Sequence, residues 1–277
     1  MIAVKVRITF ILLEKFPMKL TSALVALFLV TLVFSCSKNN DDPSPTPGNT
    51  DTTGKHINDS LWAYYPIRGS VADSSGHNHT LVLNAGAALT YDQWGNDQSA
   101  INFDGVGAYG SIADGTQFPA SDFTISLIIM PRQNKGFFFG KQNYATGKGA
   151  SFNVGIDNAT MGPQARFSIT TNQSAICTAF PTSGDVCSNP NAFYSYAWYQ
   201  VVATFQKGTL KLYINGKLVN TQTSANTVIN NCSVSEFILG GWWTSDKNAF
   251  DGKMDAIRVY TRVLSSKEVQ YLFDNRL

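Results

Sequence analysis

The sequence predicts an all-β protein: two antiparallel sheets packed face to face as a jelly-roll sandwich, with one short C-terminal helix. Three observations carry this. Apolar and polar residues alternate at period two in segment after segment from residue 61 onward. Aromatic residues make up 12% of the chain and charged residues only 14%, a balance that suits a turn-rich β protein better than a helical bundle or a disordered tail. Only the C-terminal end reads as a helix.

Taken in order, the clear strands are Leu61–Pro66, Ala100–Phe103, Phe123–Met130, Ser151–Ile156, Ala165–Thr170, Tyr199–Phe205, Glu236–Gly240 and Lys253–Tyr260. The strongest local signal lies between the sixth and seventh of these. Leu210, Leu212 and Ile214 alternate with polar residues, Asn215-Gly216 supplies two residues that tolerate positive φ, and Leu218 resumes the pattern. That is a hairpin. At the end, Ser265-Ser266-Lys267-Glu268 has the spacing of a capping box, and Val269, Leu272 and Phe273 then share one helix face. No internal repeat is visible, and the length fits one large sandwich.

The first part of the chain reads as an address. From Met18 a short basic start leads into an apolar run, Leu20 to Phe34, followed at once by polar residues. A run of this length suits the core of a signal peptide better than a stable span. Val33-Phe34-Ser35-Cys36 resembles a bacterial lipobox, with Phe34 where a small residue is usual. The resemblance implies cleavage before Cys36, its acylation, and anchoring to a membrane by several acyl chains. The alternative is an uncleaved anchor with an incidental cysteine. Residues 1–17 are either an extended start or a mis-assigned one upstream of Met18. The segment after Cys36 is polar and rich in Pro and Thr, which makes it a tether. Asp41 and Asp42 resemble the surface-export signal of Bacteroidetes-type lipoproteins, so the expected location is the outer membrane or cell surface. The expected organisation is a signal peptide over 1–36, a flexible tether over 37–57 and a sandwich over 58–277.

The formal net charge is +2, but Lys5, Arg7, Lys15 and Lys19 against Glu14 place +3 in the signal segment. The rest is near −1 and has no basic field for phosphate, so nucleic acid is not an expected partner. The Arg- and Lys-bearing strands near the end read as solvated faces. An exported chain permits disulfides. Cys177 and Cys187 are the expected pair, closing a short loop, and pairings of Cys232 with either stay open. His77 and His79 read as a solvated pair rather than a zinc site.

Several segments in order are similar to the concanavalin A-like lectin/glucanase superfamily, specifically its laminin-G-like jelly rolls. They are Leu61-Trp62-Ala63-Tyr64-Tyr65-Pro66 followed by Ala72-Asp73-Ser74-Ser75-Gly76, Ala100-Ile101-Asn102-Phe103-Asp104-Gly105, and Asp122-Phe123-Thr124-Ile125-Ser126. Trp198-Tyr199-Gln200-Val201-Val202 through the Asn215-Gly216 hairpin, Phe250-Asp251-Gly252-Lys253-Met254-Asp255, and Val259-Tyr260 with Leu264-Ser265 complete the set. The resemblance spans about 61–273 and departs from the family at 172–195, with its two cysteines, and at Ala256, where an acidic residue is common.

The resemblance implies structural calcium beside the first and last strands, near Asp73 and Asp255. Asp255 lies mid-strand in an apolar stretch and needs a partner; calcium, solvent, or pairing with Arg258 or Lys253 would each serve. For ligand binding, Trp94, Tyr144, Trp242 and Trp243 are the candidate aromatic platforms for a pyranose ring, the alternative being that they pack beneath loops. Hydrolysis of a glycoside needs two carboxylates flanking one bond. After the signal segment only Glu236 and Glu268 are glutamates, no strand reads as carrying two inward carboxylates at i, i+2 or i, i+4, and no nucleophile elbow appears. The expected function is therefore a non-catalytic, lipid-anchored surface protein that binds a glycan or cell-surface polysaccharide. A protein-binding adhesive module is the alternative, and a glycoside hydrolase a more distant one.

Overall fold

Burial follows the period-two pattern of the sequence and divides the strands between two sheets. The computed structural model describes residues 53–113, 118–146, 148–159, 162–170, 184–230, 232, 235–242 and 248–275. The expectations placed on Cys36, Cys177 and Trp243 lie outside the described residues. The first strands in chain order are β1 (Leu61–Tyr65), β2 (Leu81–Asn84), β3 (Ala88–Thr90), β4 (Ala100–Asp104) and β5 (Tyr109–Ile112). Next come β6 (Asp122–Pro131), β7 (Gly136–Gln142), β8 (Phe152–Ala159), β9 (Gly162–Thr170) and β10 (Gly184–Pro190). The last are β11 (Tyr199–Gln206), β12 (Thr209–Ile214), β13 (Lys217–Thr223), β14 (Glu236–Leu239) and β15 (Asp251–Tyr260), followed by helix α1 (Ser266–Asn275).

The first sheet runs β13-β12-β11-β6-β15-β4-β3, with β1 also paired to β15; the second runs β10-β9-β8-β7-β14-β5-β2. The pairings in both are antiparallel, as a sandwich requires. Between the sheets, Phe123, Ile125, Leu127 and Ile129 of β6 and Val201, Ala203 and Phe205 of β11 meet Phe152 and Val154 of β8, Phe167 and Ile169 of β9, and Phe237 and Leu239 of β14. At the centre, the rings of Phe118, Phe123, Phe152 and Phe237 lie at centroid distances of 5.0–6.1 Å. Each such side chain contributes roughly 1.5–3 kcal/mol through burial.

The hairpin and the helix form as the sequence predicts. Asn215 and Gly216 take φ of 50° and 78°, the left-handed pair that a two-residue turn between β12 and β13 needs. Ser265 N and Oγ both donate to Glu268 Oε2, at 2.7 and 2.8 Å, and Glu268 N donates back to Ser265 Oγ. Val269 and Leu272 then bury themselves against Leu61, Val202, Tyr213 and Tyr260 on the outer face of the first sheet. Phe273 stays partly exposed.

Four expectations need correction. β7 carries no alternation because Phe137-Phe138-Phe139 is buried throughout. A bulge between Phe137 and Phe139 changes the side-chain phase within the run, so Phe138 and Phe139 both reach the main core. The last strand is not a solvated face: Arg258 is only 3% exposed, with its guanidinium 4.0 Å above the Tyr64 ring and Nη2 donating to the Tyr64 hydroxyl. His79 is buried and stacks on Trp62 at 3.7 Å. Finally, the Cys177–Cys187 closure does not form. Cys187 is a free thiol on the inner face of β10, opposite Phe167, and burial pushes it up to about 11. Among the described residues Cys232 is disulfide-bonded.

Candidate functional site

Inward residues Phe237 and Leu239 fix β14 in the core, so the alternate residues Glu236 and Ile238 face outward on the second sheet. The strand ends at Gly240, with φ of +76°, and Gly241 follows. Tyr144, from the loop after β7, lies back across this outer face. Its ring stacks on Tyr109 of β5 at 3.9 Å and 22°, and it passes so close to Gly241 that a Cβ there would lie 3.7 Å from the ring. Opposite, the turn after β4 is held by Asp104, whose Oδ1 accepts from the N–H groups of Val106, Gly107 and Ala108 at 2.8–3.0 Å. Between the turn, the glycine pair, Ala249 and Tyr144 lies a cleft of about 150 Å³.

Tyr144 and Tyr109 are half-buried, so the pair offers an aromatic face while Tyr109 backs Tyr144 from behind. Burial, reinforced by nearby carboxylates, raises both phenols; Glu236 acts on Tyr109, and Tyr109, Asp104 and Glu236 act on Tyr144. Burial also raises the Glu236 carboxyl, opposed by a hydrogen bond from the Tyr144 backbone. What the cleft presents is an aromatic wall, a floor without side chains, and acidic rather than basic surroundings.

The four candidate aromatics do not converge. Tyr144 lines the cleft. Trp242 follows the same glycine pair but is 7% exposed, packed on Phe137 at 5.1 Å and over Gly140. Its ring is held by the protein, so the expectation that it stacks on sugar is corrected. Trp94 is 52% exposed, but it stands on the loop between β3 and β4 of the other sheet. Tyr109 and Gly240-Gly241 carried no signal in the sequence, because Tyr109 becomes informative only once strand pairing sets it beside Tyr144.

The carboxylates proposed for calcium do not fit a shared ion. Asp73 Oδ1 accepts from the backbone of Tyr64 and Ser75, and Oδ2 from Ser75 Oγ and His79 N, at 2.8–2.9 Å. Burial alone would raise this carboxyl, but those hydrogen bonds outweigh it and hold it below the usual range. Asp255 Oδ1 accepts from Ala256 N at 2.6 Å and faces Arg68 at 3.8 Å. Among the described residues no group of three or more His, Cys, Asp or Glu side chains is placed to hold a metal, and both oxygens of Asp73 are already committed to N–H and O–H donors. Adding millimolar calcium or EDTA should therefore leave the melting temperature unchanged. A calcium-dependent rise in a scanning-calorimetry trace would show ligands that this geometry does not offer.

The laminin-G-type family model, described as the concanavalin A-like lectin/glucanases superfamily, matches residues 104–270. Among solved structures, the botulinum neurotoxin serotype D ligand-binding domain in complex with N-acetylneuraminic acid aligns with a TM-score of 0.60 at 14% identity, over 81% of this chain and 53% of that one. The binding domain of neurotoxin DC with SialylT aligns at 0.56 and 16% identity, over 80% and 52%. The same domain with rat synaptotagmin II aligns at 0.58 and 17% identity, over 80% and 52%. The chain spans about half the length of these domains, and at such identity the likeness is one of fold. No curated protein matches the chain. With the jelly-roll architecture in place and the family model matching more than half of its residues, the chain belongs to the concanavalin A-like lectin/glucanases superfamily.

Proposed function

We propose that this protein is a non-catalytic carbohydrate-binding module, held at the cell surface through a lipidated Cys36, and that the Tyr144 cleft is its glycan site. The observation that carries the reading is the half-exposed tyrosine stack over Gly240-Gly241. A pyranose ring needs a flat aromatic surface for its C–H face and close backbone approach on the other side, and tyrosine supplies such a surface at low entropic cost. Gly240 and Gly241 both line the cleft, and a side chain at 241 would stand against the Tyr144 ring. Asp104 commits one carboxylate oxygen to three backbone N–H groups, which suits it to shaping the turn rather than to acid–base chemistry with Glu236. The neurotoxin domains of like fold, solved with N-acetylneuraminic acid and with synaptotagmin II, are compatible with a binding role for this architecture.

A glycan array followed by calorimetric titration tests the reading. The protein should bind at least one oligosaccharide class, and Tyr144→Ala should weaken that binding by about tenfold or more, near 1.4 kcal/mol, while melting close to the parent. Reducing-sugar release from a bound polysaccharide would overturn the non-catalytic part. For the anchor, Cys36→Ser should move the protein from the membrane fraction to the soluble fraction, since anchoring rests on the acyl chains.

A protein-binding role is favoured by a different observation. Tyr194 and Tyr196 are 78% and 72% exposed on the turn before β11, and exposed tyrosines are enriched at protein interfaces. Loss of a captured protein partner on their joint replacement, with glycan binding intact, would support that role.

A further inference from the structure

The outer face of the first sheet carries a second group of side chains that the Tyr144 cleft leaves unused. In the row across β11, β6 and β15, Gln200 pairs with Ile128 and Ile128 with Asp255, so the three stand side by side on one face. Ile128 and Gln200 help form a slot of about 70 Å³ with Trp198 and Asn215, closed in by Gln93 from the β3–β4 loop and by Phe273 from α1. At the Asp255 end of this row, Arg68 holds its guanidinium 3.8 Å from Asp255 Oδ1, with its side chain 54% exposed.

Arg68 Nη1 donates to the carbonyls of Pro66 and Ile67 at 2.8 and 2.9 Å. These bonds fix the fork from one side. Among the described residues, its Nε and Nη2 donate to no protein group. Beside it the β3–β4 loop presents Tyr91 and Trp94, 54% and 52% exposed. This loop is built rigidly. Asp92 accepts from Trp94 N, Asn96 N and Asn96 Nδ2 at 2.8–2.9 Å, Lys253 Nζ donates to Tyr91 O, and Gly69 N donates to Gln98 O, tying it to the Arg68 turn. Asp92 lies near enough to Arg68 for the guanidinium to favour its ionised form.

An anchored guanidinium with an open side matches a carboxylate bidentately. Exposed aromatic faces pack the C–H side of a sugar ring. We propose that the outer face of the first sheet is a second, independent site for a carboxylated sugar of the hexuronate class, with Arg68 holding the carboxylate and Trp94 the ring face. Asp255 does not cancel Arg68. Burial pushes its carboxyl up to about 7, so around neutrality it is only partly ionised. Arg258, the other cation facing Asp255, is committed to Tyr64.

Calorimetric titration with an oligogalacturonate, beside a neutral galacto-oligosaccharide of the same length, tests the site. The protein should bind the acidic oligomer more tightly, and added salt should weaken that binding. Arg68→Gln should weaken it by about tenfold or more, and Trp94→Ala should also weaken it. Arg68→Lys should recover only part of the loss, because an ammonium cannot pair bidentately. Tyr144→Ala should leave it unchanged, which separates this site from the proposed glycan cleft. Absence of oligogalacturonate binding by the parent protein, equal binding by Arg68→Gln, or a loss confined to Tyr144→Ala would each overturn the proposal.

Discussion

Asp255→Asn is expected to stabilise the protein by about 1–3 kcal/mol at about pH 8 and to flatten its stability between about pH 4 and about pH 7. Asp255 is 2% exposed, and burial is the main force on its carboxyl; the Ala256 N–H, Arg68 and Arg258 draw it back toward ionisation, and Asp92 opposes them. Its value in the folded state is about 7, against 3.8 for an ordinary aspartate. The folded protein therefore holds this proton more tightly than the unfolded chain. Stability from this group is fully present at low pH, is lost as pH rises through the folded value, and stays lost above it. The displacement sets a ceiling of about 4 kcal/mol, and the two arginines return part of that. Asparagine keeps the shape and can still accept from Ala256 N. Arg258 keeps its hydrogen bond and ring contact with Tyr64, and Arg68 is half-exposed. Urea titrations of both proteins across this pH range check the expectation; an asparagine variant less stable than the parent at high pH would contradict it.

Gly240→Ala should cost about 3 kcal/mol or more, lowering the melting temperature by roughly 6–12 °C for a domain of this size. Gly240 has φ of +76°, and a Cβ there would lie 2.2 Å from Phe103 Cδ1 and 2.5 Å from Cε1. The left-handed backbone alone costs about 1 kcal/mol for alanine. The clash adds an overpacking penalty of about 1–3 kcal/mol or more, because Phe103 is fully buried against Phe250 and the inner face. Thermal denaturation followed by circular dichroism reads the effect. A loss below about 1 kcal/mol would mean that Phe103 has room to move, against the packing described here.

What the sequence disclosed and what it hid divide along physical lines. Local chemistry was legible: the Asn215-Gly216 turn and the Ser265–Glu268 cap each rest on side chains a few residues apart. Amphipathic strands were legible because one side of each faces the interior. β7 was not, since its aromatic run is covered on both sides and a bulge breaks its phase. β2, β3 and β5 are only three or four residues long, too short for alternation to declare itself. Tyr144 could be singled out as a candidate aromatic platform, but its partner Tyr109 comes from a strand brought near only by the sheet order β7-β14-β5. Asp255 showed the same limit: its mid-strand position implied a buried charge in need of a partner, and only the tertiary structure brings Arg68 and Arg258 near it. Trp242 and Trp94 looked alike as residues, and the fold buries one and exposes the other.

Mapping amide chemical shifts while titrating an array-selected neutral oligosaccharide tests most directly whether recognition occurs beside Tyr144. The largest changes should fall on Gly107, Tyr144, Gly240 and Gly241, with β11 and β12 unmoved. Saturable binding whose shifts cluster anywhere else on the sandwich, leaving those four amides in place, would contradict the assignment.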